Sequence, residues 1–367
     1  MGLKRVCHMT SAHDSRDVRI FHKECVSLAK AGYDTTLVVP GKSFDRDNVK
    51  VIGVMKKSNS RLYRMLFMAR LVYKEALAVN ADIYHFHDPE LLPYALKLKK
   101  KNKIVVYDSH EDVPRQILAK TWIPLKMRTF VSKRYEYYEK RIARKLDYIV
   151  TATDHIANIF RRYNCKAGAI KNYPLLSDIH CKNNDYNRRE RILCYAGGIT
   201  EQRGITQLVK MMEYVDAELQ IAGAIEQEYK KELEQLPGWG KVKLLGYLSR
   251  SEINDLYNRS LIGLVVLKNT PNHRKALPIK MFEYMAAGIP IVASDFEVWK
   301  DIIERSECGI SVDPEKVEDI GNAVNKLLAD REASLKLGKN GREAICREYN
   351  WGIEEEKLVD IYSRLVC

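Results

Sequence analysis

The sequence predicts an α/β protein made of two doubly wound units. Short apolar runs alternate with amphipathic helical patterns from one end to the other, the signature of parallel strands covered by helices. A chain of 367 residues exceeds what one ordinary core holds. A polar stretch rich in Asn and Asp, residues 177–189, interrupts the alternation near the middle. In the first half the strand-like runs are 6–9, 35–39, 49–54, 83–86, 104–107 and 148–151, with helical patterns such as 19–31 and 62–79 between them. In the second half they are 191–195, 218–222, 242–245, 262–266, 289–292 and 309–312. Helical patterns at 204–212, 227–235, 251–258, 279–287 and 317–329 separate these. The division is therefore a first domain over 1–172, a linker over 173–190 and a second domain from 191 to 348. In open parallel sheets ligands meet the carboxyl ends of strands, so motifs there carry the most weight.

Composition narrows the class. The chain is 46% hydrophobic and 30% charged, and no apolar run approaches the roughly 20 residues of a spanning helix. Residues 5–10 already read as a strand, which leaves no room for a signal peptide and predicts a cytoplasmic chain. Eight scattered cysteines without a C-x-x-C pair predict reduced thiols, not a disulfide or zinc framework. The net charge of +13 is one-sided. Residues 1–180 carry 34 Lys and Arg against 18 Asp and Glu, the remainder 27 against 30. A basic field confined to one half predicts a polyanionic partner, either nucleic acid or an anionic membrane surface.

The richest segment runs from Leu277 to Asp295. A loop opens a helix carrying Lys280 and Glu283 in its first turn, Gly288 stops it, and a buried strand follows. Backbone N–H groups at a helix start attract anions, and a lysine there adds a full charge. Glu283, set among Met281, Phe282, Tyr284 and Met285, reads either as an acid favoured by the helix dipole or as an acceptor for ligand hydroxyls. A second strand–turn–helix start contains Gly197, Gly198 and Arg203. It is either an ordinary turn or, with Lys280, a two-sided diphosphate clamp. Nothing matches a Walker loop or G-x-G-x-x-G, which disfavours an NTPase or a nicotinamide enzyme.

Other candidates lie in the first half. His110 ends a strand beside Asp108, Glu111 and Asp112, as a hydrogen-bonded structural group or a catalytic one. His85 and His87 alternate along a strand and share a face; a zinc site would need further ligands, and packing is the simpler reading. His87-Asp88 at that strand end, with His13, Asp14 and Arg16 after the first strand, are candidates for acceptor contact. Residues 58–78 interleave Arg61, Arg64, Arg70 and Lys74 with Leu62, Leu66, Phe67, Leu71 and Val72. Residues 122–141 repeat the theme from Trp122 to Lys140-Arg141. Such segments are either interfacial or core-facing helices with a solvated basic face.

With these motifs in view, the chain resembles retaining glycosyltransferases of the GT-B type, family 4, the bacterial polysaccharide and glycolipid enzymes. The carriers are residues 21–34, 82–88 and 108–111, Gly197-Gly198 to Arg203-Gly204, Leu245-Gly246-Tyr247, and the block from Glu283 to Asp295. The resemblance implies two Rossmann-like domains facing across a cleft, and residues 349–367 as a closing helix returning to the first. It implies a nucleotide sugar held mainly by the second domain: Glu283 on the ribose, Arg203 on the diphosphate. Lys280 with the backbone of Ile279 to Met281 would meet the phosphates, and Tyr247 would lie near the base. His110 matches the histidine that faces the donor sugar.

The sequence departs from the family's E-x7-E pair, with Lys275 at the first position, so Lys275 joins the donor candidates. Arg and Lys would meet the charge a divalent ion meets elsewhere, so no metal and no cofactor are expected. The implied partners are a nucleotide sugar (UDP over GDP), a glycan or lipid-linked acceptor and the anionic inner membrane face. Nucleic acid is not expected, because no reading motif or stacking platform accompanies the basic half. A nucleic-acid-binding protein, or an epimerase or phosphorylase of the same architecture, is the alternative.

Overall fold

A computed structural model describes residues 4–58, 60–120, 122–179 and 189–366. The chain forms two compact units, Met1–Asn172 with Gly352–Cys367, and Tyr173–Trp351. Each is a Rossmann-like sheet covered by helices.

The first unit's sheet has eight strands: β1 (Arg5–Met9), β2 (Asp34–Pro40), β3 (Phe44–Arg46), β4 (Val49–Val54), β5 (Ile83–Phe86), β6 (Ile104–Ser109), β7 (Tyr148–Thr151) and β8 (Ala167–Ala169). Their order is β3-β4-β2-β1-β5-β6-β7-β8. All pairings are parallel except β3 with β4. The order reverses between β1 and β5, which opens a crevice at their carboxyl ends. Buried Val, Ile and Leu on both faces of these strands are what a sheet covered on both sides demands. The sequence misses β3 and β8 because both are three-residue edge strands, one polar and one Ala-Gly-Ala. The helix expected over 19–31 begins with wide, π-type turns at Val18–Cys25, capped by Asp17, and becomes α-helical only at Val26–Lys30. The wide turns bury Arg19 and Glu24 along with Ile20 and Phe21. The helix Trp351–Val366 ends the chain, and from Gly352 onward it belongs to the first unit.

The second unit holds β9 (Ile192–Ala196), β10 (Glu218–Ala222), β11 (Val242–Gly246), β12 (Ile262–Val265), β13 (Ile291–Ser294) and β14 (Gly309–Val312), in the order β11-β10-β9-β12-β13-β14, all parallel. Its reversal point lies between β9 and β12. β13 starts two residues later than the sequence suggests, because Gly288 (φ 68°) and Ile289 still close the preceding helix, Ile289 N–H donating to Tyr284 O. The stretch expected as a linker over 173–190 needs correction where it is described. Tyr173 and Ile179 are buried in the second unit's core, and Tyr173 packs on Phe282 and Tyr349. Arg189 is buried too, donating to the carbonyls of Ser260 (2.9 Å) and Ala287 (2.8 Å). Residues 180–188 lie outside the described residues.

Candidate functional site

In the second unit two strand ends deliver one cluster. β9 runs into Gly197, whose φ of 140° suits only glycine and whose missing side chain leaves room for a lysine: a Cβ there would sit 2.8 Å from Lys280 Nζ. Tyr195 closes the turn by donating its hydroxyl to Gly198 O (2.9 Å), and Tyr284 OH accepts from Ala196 N–H (3.1 Å). A short turn, Glu201–Arg203, leads to Gly204 at φ 72°, where a Cβ would run into the Val266 carbonyl oxygen. From the other side, the helix Ile279–Ala286 carries Lys280 at its second position. Glu283 falls in the second turn, not the first, so the dipole of the helix start does not explain it.

Lys280 is 5% exposed, and among the described residues its ammonium has no hydrogen-bond partner. It sits over the Tyr195 ring, 3.5 Å from the centroid. Burial first, then the charge of Arg203, hold its pKa well below the usual lysine value, and Glu283 only partly offsets them. A buried, unpaired cation beside a second cation is a site arranged for an anion. Glu283 is 7% exposed and held at both oxygens, by Arg250 Nη1 (2.6 Å) and the Tyr257 hydroxyl (2.9 Å). Its remaining lone pairs are free to accept from ligand hydroxyls. Arg250, Tyr257 and Tyr195 were not among the residues expected at this site. Only their places, one on the strand before the glycines and two at helical spacing after a capping serine, could have suggested them.

The structure thus brings together Gly197, Gly198, Arg203, Lys280 and Glu283. It does not add Lys275, which lies in the turn His273–Lys275 and pairs with Glu297 (3.6 Å). Tyr247 is 91% exposed beyond β11. The Met281 side chain is core, so at that residue only the backbone is available to a ligand.

The first unit carries its own cluster at the β1/β5 reversal. Asp88 Oδ2 gathers the loop after β1, accepting from Thr10 Oγ1 (2.8 Å), Ser11 N–H (2.6 Å) and Ala12 N–H (3.1 Å). His13 lies 2.7 Å from Asp17 and 3.7 Å from Asp88, with its ring centroid 5.5 Å from that of His110. Asp108, fully buried, receives Arg19 in a bidentate pair at 2.9 Å for both bonds. Its Oδ2 also meets His110 Nε2 (2.7 Å) and His87 Nδ1 (3.1 Å). Burial alone would raise the Asp108 pKa, but Arg19, then His110 and His87, hold it well below the usual carboxylate range. His110, whose side chain is 20% exposed, is therefore oriented by a fixed anion. Asp14 and Arg16 are not part of this cluster; they are exposed and pair with each other at 3.8 Å.

Deeper still, His8, His85 and His87 surround Glu24, all four fully or almost fully buried. Burial pushes the three imidazoles down in pKa and Glu24 up. Among the described residues two sets of side chains are close enough to hold a metal: His8, Glu24, His85 and His87, and an overlapping His87, Asp108 and His110. The D-x-D-spaced triplet Asp45-Arg46-Asp47 is no metal candidate. It sits in the tight β3–β4 hairpin, where Arg46 pairs with Asp47 and the backbone turns through φ 53° and 59° at Asp47 and Asn48.

Residues 178–344 match the family described as glycosyl transferases group 1, and residues 19–171 match glycosyltransferase family 4. The chain belongs to the group-1 glycosyltransferases of family 4. An uncharacterized glycosyltransferase of Methanocaldococcus jannaschii is 27% identical over 180 residues, 47% of this chain and 45% of that protein. The chain thus spans less than half the length of that curated relative. Among solved structures, sucrose-phosphate synthase from Thermosynechococcus elongatus superposes with a TM-score of 0.80 at 16% identity, over 99% of each chain. Anabaena HepE in complex with UDP-glucose gives 0.75 at 13% identity, over 99% of this chain and all of the other. These structures share the GT-B fold of two Rossmann-like domains. In this glycosyltransferase the two family matches divide where the two compact units divide, between residues 171 and 178.

Proposed function

We propose that this glycosyltransferase moves a sugar from a nucleoside diphosphate, UDP before GDP, to a lipid-linked or polysaccharide acceptor, with retention of anomeric configuration. The observation that carries the donor reading is Lys280: a buried ammonium without a partner, beside Arg203, at a helix start facing a glycine turn. Breaking the bond from the sugar's anomeric carbon to the β-phosphate leaves negative charge on phosphate oxygens. Lys280, Arg203 and the N–H groups near Gly198 and Lys280 stabilise that charge more than the ground state, which is what accelerates the step. The acceptor hydroxyl attacks the anomeric carbon on the face the phosphate leaves, and its proton passes to the departing phosphate. No protein nucleophile and no metal are assigned. Glu283, steadied by Arg250 and Tyr257, takes the ribose hydroxyls, and His110, oriented by Asp108, polarises the reacting sugar.

The acceptor side is assigned to an anionic membrane surface, in the cytoplasm. The support is on the first unit, where Leu62, Leu66 and Phe67 are exposed instead of core-facing, as are Trp122, Leu125 and Phe130. Lys and Arg from 64 to 141 alternate with them. Apolar side chains among cations suit shallow insertion between anionic headgroups. Among the described residues no helix is long and apolar enough to cross a membrane, so the assignment is to a peripheral site.

The test is thermal stabilisation by UDP-, GDP- and ADP-sugars and the free diphosphates, with Glu283→Ala and Arg203→Ala as controls. Stabilisation of the native chain alone supports the donor site. No response to any diphosphate, or equal responses from both variants, overturns it.

A further inference from the structure

The cluster beneath the first unit's strand ends has a geometry that the transfer reaction does not use. Glu24, on the wide helical turns, projects its carboxylate into a pocket walled by His8 of β1 and by His85 with the adjacent His87 at the end of β5. Glu24 Oε2 lies 4.0 Å from His8 Nδ1, 3.9 Å from His85 Nδ1 and 4.0 Å from His87 Nε2. The two imidazole nitrogens of His8 and His87 are 3.0 Å apart. All four ligating atoms lie within 4.8 Å of one another. Metal bonds of about 2.0–2.1 Å put tetrahedral ligands about 3.3–3.4 Å apart, so closing on an ion changes these separations by about 0.3 to 1.5 Å.

Hydrogen bonding points the same way. Among the described residues His85 Nε2 is buried without a hydrogen-bond partner, and the buried Glu24 carboxyl group has Asp108 as its hydrogen-bonding neighbour. Arg19 Nε is 3.1 Å from Glu24 Oε1, but it directs its N–H at Asp108. Buried polar atoms are normally satisfied; Glu24 leans on Asp108 and on Arg19, and His85 Nε2 is the atom of the pocket left over among the described residues. Two buried carboxyl groups, Glu24 and Asp108, share one guanidinium, Arg19, and an ion that replaces the Glu24 proton fits that arrangement. The outer shell is already in place. Asp108 Oδ2 sits 3.1 Å from His87 Nδ1, the carboxylate–histidine arrangement that orients a metal ligand through its far nitrogen. The Tyr362 hydroxyl, on the closing helix, is 3.4 Å from His8 Nε2, the nitrogen of that ring turned away from Glu24; its 2.7 Å contact with His85 Nδ1, the nitrogen nearest Glu24, gives way when the ion binds.

We infer that His8, Glu24, His85 and His87 form a closed binding site for a divalent transition-metal ion, Zn2+ by its three-nitrogen, one-oxygen set. Four protein ligands and full burial make it a structural site, without an open position for substrate. The ion ties β1, β5 and the wide helical turns together, and through Tyr362 it steadies the closing helix.

The experiment is elemental analysis of the chain purified without a histidine tag, followed by replacement with Co2+. The expected result is one zinc per chain surviving desalting. Co2+ should give the intense visible bands of a tetrahedral site without a thiolate charge-transfer band. Glu24→Gln and His8→Gln should each lower metal affinity at least tenfold, whereas His110→Gln keeps it. Should those variants not fold, the cobalt spectrum of the native chain decides alone. A native chain that binds neither ion under zinc or cobalt titration overturns the assignment, as does an octahedral or thiolate spectrum. Metal lost with His110→Gln but kept with Glu24→Gln would place the ion at the overlapping set and equally overturn it.

Discussion

Replacing Lys280 by methionine should move stability and ligand affinity in opposite directions. Methionine keeps the length and the contact with the Tyr195 ring but removes an ammonium that is 5% exposed and unpartnered. A buried polar group left unsatisfied costs about 1–3 kcal/mol. The ring beneath the ammonium returns about 0.5–2 kcal/mol. At mid-range the difference favours methionine by roughly 0.75 kcal/mol, a rise in Tm of about 1.5–3 °C at about 2–4 °C per kcal/mol. Binding of UDP loses a charge-assisted contact of about 1.5–3 kcal/mol, a weakening of about 10- to 150-fold. The pH profile follows from the same residue. Its folded pKa is depressed below 10.5, so the unfolded chain holds the proton more tightly. Stability should rise with pH from the folded value up to about 10.5, and Lys280→Met should flatten that slope. A diphosphate favours the charged form, so its binding raises the Lys280 pKa. Differential scanning fluorimetry with and without UDP, and calorimetry in two buffers of unlike ionisation enthalpy, read all of these. A variant whose ligand-free Tm falls by several degrees while UDP affinity is unchanged would make Lys280 a structural residue and refute the reasoning.

Tyr257→Phe removes one of the two donors holding Glu283 and should cost about 1–2 kcal/mol of stability; urea unfolding and UDP titration check that affinity falls with it, and unchanged affinity argues against Glu283 on the ribose. Gly197→Ala places a side chain at φ 140° against Lys280. About 1–3 kcal/mol of strain and loss of UDP binding are expected, read by thermal shift, and a variant with native affinity would dissolve the clamp. Phe67→Ser with Trp122→Ser should abolish sedimentation with anionic vesicles at unchanged Tm, since both side chains are more than half exposed; equal binding of the native chain to neutral vesicles, or none, would remove the membrane surface from the reading.

Strand positions were largely legible because parallel strands buried on both faces read as continuous apolar runs, as β1, β5 and β12 do. Edge strands β3 and β8 carry no such run. The donor cluster was half legible. Lys280, Glu283 and Arg203 stand out because they interrupt a strand–turn–helix grammar, but Arg250 and Tyr257, which hold Glu283, lie more than 25 residues upstream and look like any amphipathic helix. The His–Glu pocket was illegible in a different way. His85 and His87 were visible as a pair sharing one face, yet the side chains that complete the pocket come from β1 and from turns whose wide geometry turns Glu24 inward, where α-helical spacing gives no hint of it.

Arg189 joins two things that the chain keeps far apart. Its guanidinium binds carbonyls at the C-terminal ends of two helices, Arg250–Arg259 through Ser260 and Ile279–Ala286 through Ala287. Those helices carry Arg250 and Tyr257 on one side and Lys280 and Glu283 on the other. A cation shared between two helix ends resists sliding of one helix past the other. On the donor reading proposed above, accommodation of different sugars falls to side-chain rotation and to the turn after β9, not to shear between the helices. On that reading the cluster is a rigid jaw with one adjustable lip.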